Sequence, residues 1–253
     1  MIQIIGVDCA TQEKKIGVSQ GYIENDTLTI SHVQTCSKQK PAVDTIMEWI
    51  NESTPTLLAF DAPLGWPNGL REALKLHQAG TYINKEPNHM FKRLTDQRVK
   101  ENISQTPLEV GANFIARTAH AALILIHTIR NRLAVRYPLG SNHAPLAWSI
   151  PLTSKVNIIE VYPAATMRAY GWIKGTEKFE VPPHHSKIQF LKHQGIKFVE
   201  DISARTTEHA VDAAICVVAG VDFIRGNAIA PKGSELHQAM AEGWIWVKRK
   251  SHT

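Results

Sequence analysis

"IQIIGVDCATQEKKIGVSQGYIE", residues Ile2–Glu24, opens on a nearly continuous β-branched run. Ile2, Ile4, Ile5 and Val7 have the pattern of a strand buried on both faces. An acid, Asp8, stands where that strand ends. A carboxylate there is costly to bury alone and calls for a partner, for water or for a metal. "KKIGVSQGYIE" (Lys14–Glu24) then reads as a second strand and "TLTISHVQT" (Thr27–Thr35) as a third. Glu24–Asn25–Asp26 supplies turn chemistry between them. The three strands therefore form an antiparallel meander.

Working outward, "PAVDTIMEWINES" (Pro41–Ser53) spaces Val43, Ile46, Met47 and Ile50 at helical intervals. "TLLAFDAPLGWP" (Thr56–Pro67) gives another buried strand, ending at Asp61. Residues 68–110 are polar and basic and read as a helix followed by an irregular insertion. Gly111–Leu133 reads as a long helix and residues 137–156 as a loop. "NIIEVYP" (Asn157–Pro163) is a third buried strand, ending at Glu160. Helices follow at Ala164–Tyr170, at His184–Gln194 and from near Thr207, and "GWIWV" (Gly243–Val247) reads as a last short strand. No internal repeat or linker divides the chain, so residues 1–253 are expected to form one α/β domain. Its expected centre is a mixed five-stranded sheet, the meander plus two parallel strands, flanked by helices.

The composition, 43% hydrophobic and 20% charged residues, is that of a globular protein. The most apolar helical text, "AHAALILIHTI" (Ala119–Ile129), is interrupted by His120 and His127 and is too short to cross a bilayer. Three widely spaced cysteines, Cys9, Cys36 and Cys216, argue against a disulfide framework and for a reducing compartment. The chain also opens without a charged-then-apolar leader. A cytoplasmic protein with no membrane partner is the expectation. The net charge of +5 favours polyanions, though it serves solubility equally well.

Asp8, Asp61 and Glu160 each close a run of aliphatic residues. In open α/β sheets ligands collect at the carboxyl ends of the strands. "EHAVD" adds Glu208 and Asp212, four apart and so on one face of a helix, with β-carbons about 5–6 Å apart. One such acid taken alone reads as a turn or helix cap. Several together repel by about 4 kcal/mol per pair at 4 Å and an effective dielectric of 20. A hard divalent cation with oxygen ligands relieves that repulsion. Two ions about 3.5–4 Å apart can activate water and stabilise a leaving oxygen.

In "RLTDQR", Arg93 and Arg98 could grip phosphates with their guanidinium forks, or could form surface pairs with Asp96 that order a loop. Lys15, in the first hairpin, could approach a phosphate or simply be solvated. His184 and His185 lack the spacing of a zinc site. His209 adjoins the acids and could shuttle protons, but on a helix it points about 100° from Glu208, so a surface role is its default. Alternation turns Cys9 away from Asp8, into packing.

"GVDCA", "AFDAPLGWP", "RLTDQRV", "IEVYPAA", "EHAVDAAICVVAG" and "EGWIWV" occur in order between Gly6 and Val247. This set resembles the family called domain of unknown function 429, described as predicted nucleases with a ribonuclease H-like fold. The resemblance implies a nuclease that hydrolyses phosphodiester bonds of DNA or RNA with two Mg²⁺ or Mn²⁺ ions. It implies Asp8, Asp61 and Asp212 as metal-binding acids, with Glu160 and Glu208 as supporting catalytic acids. Glu208 and Asp212 stand four apart, whereas junction-resolving relatives of the fold commonly use three. Nucleic acid is the expected partner, and a homodimer is compatible with the chain. Two other classes share the opening hairpin: a sugar-kinase-like or actin-like nucleotide-binding phosphotransferase, and a binding module without catalysis. The first needs two copies of the fold and a second phosphate loop, and this chain has room for one copy.

Overall fold

The computed structural model describes residues 1–111, 113–138, 143–173, 184–203 and 206–250. Residues 139–142 of the expected 137–156 loop lie outside that set, as do residues 251–253. The chain begins with strands β1 (Ile2–Asp8), β2 (Gly17–Glu24) and β3 (Thr27–Thr35), each pair antiparallel. Asn25 and Asp26 take positive φ in the tight β2–β3 turn, a conformation these two residue types tolerate. Helix α1 (Ala42–Trp49) leads to β4 (Thr56–Asp61), which lies parallel to β1. Three helices follow in the expected insertion: α2 (Asn68–Leu74), α3 (Pro87–Phe91) and α4 (Leu94–Ile103). The long α5 (Asn113–Arg136) precedes β5 (Val156–Glu160), parallel to β4. Then come α6 (Pro163–Ala169), α7 (His184–His193), β6 (Lys197–Phe198), α8 (Glu208–Ile224) and α9 (Leu236–Glu242).

The sheet has six strands in the order β5-β4-β1-β2-β3-β6, so the expected meander and parallel pair are both present. The expected five strands become six because Lys197 and Phe198 add a two-residue parallel strand beside β3. "GWIWV" is not a strand. It contributes an isolated bridge from Ile245 to Glu160, and Lys248 just beyond it bridges to Ala228. The insertion is more regular than its polarity implied, and it is anchored by buried charges described below.

Alternation sorts the central strands between two cores. Ile4, Leu57, Ala59 and Ile159 face a core built with α6, α7 and α8. Ile5, Val7, Leu58, Phe60 and Ile158 face a second core built with α1 and α5. The first layer depends on a row of glycines. A β-carbon on Gly6 would overlap the carbonyl oxygen of Ala213, and one on Gly17 would overlap that of His209. One on Gly21 would come 2.8 Å from Cγ1 of Val217. His209, Ala213 and Val217 are spaced by four along α8, so one stripe of the helix lies on bare backbone of the β1–β2 hairpin. Thr207 begins the helix, its hydroxyl accepting the Ala210 N–H at 3.3 Å.

Gly6→Ala is expected to destabilise the protein by about 3 kcal/mol or more, because the clash is with backbone and not with a movable side chain. Gly233→Ala, with open space around the added carbon, is the control that changes little. Chemical denaturation of both variants measures this. Parent-like stability in Gly6→Ala would contradict the seam.

Candidate metal and catalytic site

Asp8 and Asp61 are direct partners in the parallel β1–β4 register. Both continue the alternating set that faces α8: Ile4 and Gly6 before Asp8, Leu57 and Ala59 before Asp61. The glycine seam fixes α8 above them and carries its first turns to the same strand ends. Nδ1 of His209 lies 2.7 Å from Oδ2 of Asp8 and donates to it. Lys187, reaching across from α7, donates to Oδ2 of Asp212 at 2.7 Å and to Oε1 of Glu208 at 2.9 Å. Oδ1 of Asp212 is buried and accepts no hydrogen bond among the described residues. Asp8, Asp61, Glu208 and Asp212 are therefore brought together, with Lys187 and His209 among them.

The electrostatics reflect the crowding. Burial, then the charges of Asp8 and Asp212, push the Asp61 carboxyl well above the usual range, and Lys187 only partly offsets them. Burial also raises Asp8, against the opposing hydrogen bond and charge of His209. Asp212 is pushed up to about 6, mainly by burial, despite the adjacent Lys187. Its hydrogen bond to Lys187 holds the more exposed Glu208 below the usual range. The hydrogen bond to Asp8 raises His209. Burial would lower the Lys187 ammonium, but Asp212 and Glu208 reverse this and keep it charged.

Glu160 stands apart from this group. In the β4–β5 register it is level with Phe60, one residue short of Asp61, so alternation puts it in phase with the opposite face. Arg93 grips it with both terminal nitrogens, at 2.8 and 3.0 Å, and the Leu64 N–H donates to it at 2.9 Å. Arg93 also donates to both oxygens of Asp96, at 2.9 and 3.3 Å, and to the Glu242 carbonyl at 3.3 Å. Arg93 is 1% exposed, so neither the phosphate grip nor the surface pair expected of it describes its place. It is the centre of a buried ionic clamp that fastens the insertion to β5.

Nearby, the carboxylate of Glu242 accepts the N–H groups of Asn68 and Leu94, at 2.8 and 2.7 Å. These are the first residues of α2 and α4, where a negative charge is favourable. Arg98 is also committed, to Glu235 at 2.7 Å and Glu101 at 2.5 Å. Lys15 is exposed on a turn of 3₁₀ helix after β1. Cys9 packs against the α1–α5 core as alternation expected, and burial followed by the charges of Asp8 and Asp61 pushes its thiol well up.

Lys187 is the residue of the cluster that motif reasoning passed over, and His209 the one it left at the surface by default. No spacing marks Lys187. For His209 a signal existed: Gly6 and Gly17 flank the position where Asp8 and a packed helix must meet. Among the described residues, no group of three or more His, Cys, Asp or Glu side chains is drawn together closely enough to hold a metal ion. Glu208 and Asp212 are engaged instead by Lys187, and Asp8 by His209.

Fold and cluster together define an α/β protein with an acidic site at the carboxyl end of its sheet. The family model "Protein of unknown function (DUF429)" matches residues 6–235, and the chain belongs to that family. No curated protein and no solved structure matches it. No helix among the described residues is long and apolar enough to cross a membrane.

Because folding raises the Asp61 carboxyl, its ionisation opposes the native state above the unfolded value of 3.8. Asp61→Asn is therefore expected to raise the Tm of the chelator-treated protein at pH 7. As the pH falls through 3.8 the carboxyl becomes neutral in the unfolded state too, and the gain fades. Thermal denaturation at pH 7 and pH 3.5 reads both arms, and an unchanged Tm at pH 7 would contradict the strain assigned to Asp61.

Proposed function

We propose that the protein is a divalent-cation-dependent nuclease whose ligands are Asp8, Asp61 and Asp212. The observation that carries this reading is the registered Asp8–Asp61 pair lying beneath the Asp212 end of α8. Its donors are carboxylate oxygens, the set that suits Mg²⁺ or Mn²⁺. The buried, unpartnered Oδ1 of Asp212 offers a further acceptor. A bound ion would supply Lewis acidity toward a phosphodiester and make water a better nucleophile.

The chain's own residues have separable tasks. Asp8, Asp61 and Asp212 concentrate negative charge that Lys187 and His209 only partly offset. His209 is held by Asp8, and its ring is 40% exposed, which lets it pass a proton between the site and solvent. Lys187 holds Asp212 and Glu208 in place. Lys15, exposed on its turn beyond β1, is the candidate contact to a substrate phosphate outside the site. Glu160 and Arg93 act one step removed, by fixing β5 and the insertion. Nucleic acid, DNA or RNA, is the substrate class this chemistry fits.

Asp8→Asn and Asp212→Asn should each lower Mg²⁺- or Mn²⁺-dependent cleavage of labelled single strands, duplexes, hybrids or branched junctions. The loss should exceed the roughly 10–100-fold typical of an outer-shell partner, while circular dichroism stays native. Full activity in both variants would exclude the site. Absence of cleavage by the parent on every substrate would exclude the activity.

A further inference from the structure

The insertion carries two neighbouring hollows that the acidic cluster does not use, and Pro107 belongs to both. The larger, about 440 Å³, is lined from α3, α4 and the chain that follows α4. Lys92, Lys100 and His89 face it, and none of the three has a side-chain hydrogen bond or ion pair among the described residues. The acids in its wall, Asp96 and Glu101, are committed to arginines. Asp96 accepts Nη2 of Arg93 on one oxygen and the Arg93 Nε and backbone N–H on the other. Glu101 accepts Arg98 at 2.5 Å. The hollow thus offers unused donors beside acids that are already engaged.

Its walls are fixed. A β-carbon on Gly69 would overlap the carbonyl oxygen of His89, so α2 and α3 meet on bare backbone. The start of α4 is held by the Arg93 clamp and by Glu242, which accepts the Leu94 N–H at 2.7 Å. The lysines therefore stand on a rigid frame, which lowers the cost of ordering them around a ligand.

The smaller hollow, about 70 Å³, is apolar, with Pro63, Leu108, Ile115 and Tyr162 in its wall. It begins at Ala62 and Pro63, the two residues after Asp61. The Tyr162 hydroxyl accepts Nε2 of Gln105 at 3.3 Å, which orients the ring. A cationic hollow and an apolar one that meet at a single proline match a ligand in which anionic groups alternate with flat rings. An unpaired nucleic-acid strand has that chemistry: its phosphates seek lysines, and its exposed bases pack on aromatic and apolar side chains.

We propose that the insertion is a single-strand-binding arm, in which Lys92, Lys100 and His89 take backbone phosphates and the hollow beside Tyr162 takes a base. This rests on the nuclease reading for the class of ligand, but binding here uses no ion and none of the acids of the cluster.

The test is fluorescence anisotropy of the full chain with labelled single strands of about 12 nucleotides, in EDTA so that no metal-dependent cleavage occurs. Binding by the parent is expected to weaken with salt. In Lys92→Gln/Lys100→Gln the slope of log affinity against log salt should fall by about 1.4, at about 0.7 per lost phosphate contact. Lys38→Gln/Lys250→Gln removes the same charge from exposed positions outside the insertion and should leave the slope as in the parent. Unlabelled strand should compete better than inorganic polyphosphate of equal charge, which has no rings. No binding by the parent, or equal slopes in the two double variants, would overturn the inference. Equal competition by polyphosphate would overturn the assignment of a nucleic-acid strand. Lysine-dependent binding without cleavage in Mg²⁺ or Mn²⁺ would remove the nuclease reading alone, and cleavage with binding indifferent to these lysines would remove this inference alone. Should the double variant not fold, Lys100→Gln takes its place, with an expected fall in slope of about 0.7.

Discussion

The seating of α8 on bare backbone is the constraint on which the rest of the molecule depends. Gly6, Gly17 and Gly21 let His209, Ala213 and Val217 approach the β1–β2 hairpin more closely than any side chain would permit. Gly220 repeats the device from the helix side, where Ile4 fills the space a β-carbon would need. This contact sets the height and phase of α8, and the phase brings the start of the helix to the ends of β1 and β4. Asp8 and Asp61 are adjacent through strand register alone. The seam makes Glu208, His209 and Asp212 part of the same group.

Two polar systems at the same edge of the sheet differ in purpose. The Arg93 clamp is buried and satisfied: Asp96 and Glu160 are both paired to Arg93, and the Leu64 N–H completes Glu160. Breaking one partner of such a system typically costs about 3–5 kcal/mol, which marks it as architecture. The cluster around Asp61 is not satisfied in this way. Asp61 and Asp8 are raised by burial, Asp212 is lifted to about 6, and one of its oxygens is orphaned. Burial raises Glu160 as well, so what separates the two systems is the oxygen of Asp212 that has no partner among the described residues.

The legible part of this structure was the part written in local pattern. β-Branched runs gave the meander and the parallel strands, and an acid at each strand end drew attention to the edge where Asp8 and Asp61 pair. Reading the glycines in β1 and β2 as close-approach positions would have placed α8 and given His209 its partner. Glu160 closes a strand as Asp61 does, but sits one residue out of step with it, a difference of phase that strand ends alone do not show. Arg93 was misplaced for a different reason. Its partner lies 67 positions away across an insertion, and no local pattern encodes that pairing. Lys187 is harder still, since a lysine on a helix ordinarily points to water. Only the packing of α7 on α8 turns it inward.

The central claim is that strand-end and helix-borne acids, joined by the glycine seam, form one cation-binding site. Anomalous scattering from a crystal soaked in Mn²⁺ tests it most directly, since it locates the ion rather than inferring it. The account predicts a peak coordinated by carboxylate oxygens of Asp8 and Asp61. Ordered manganese found only elsewhere, with Asp8 still paired to His209 and Asp61 left bare, would contradict it.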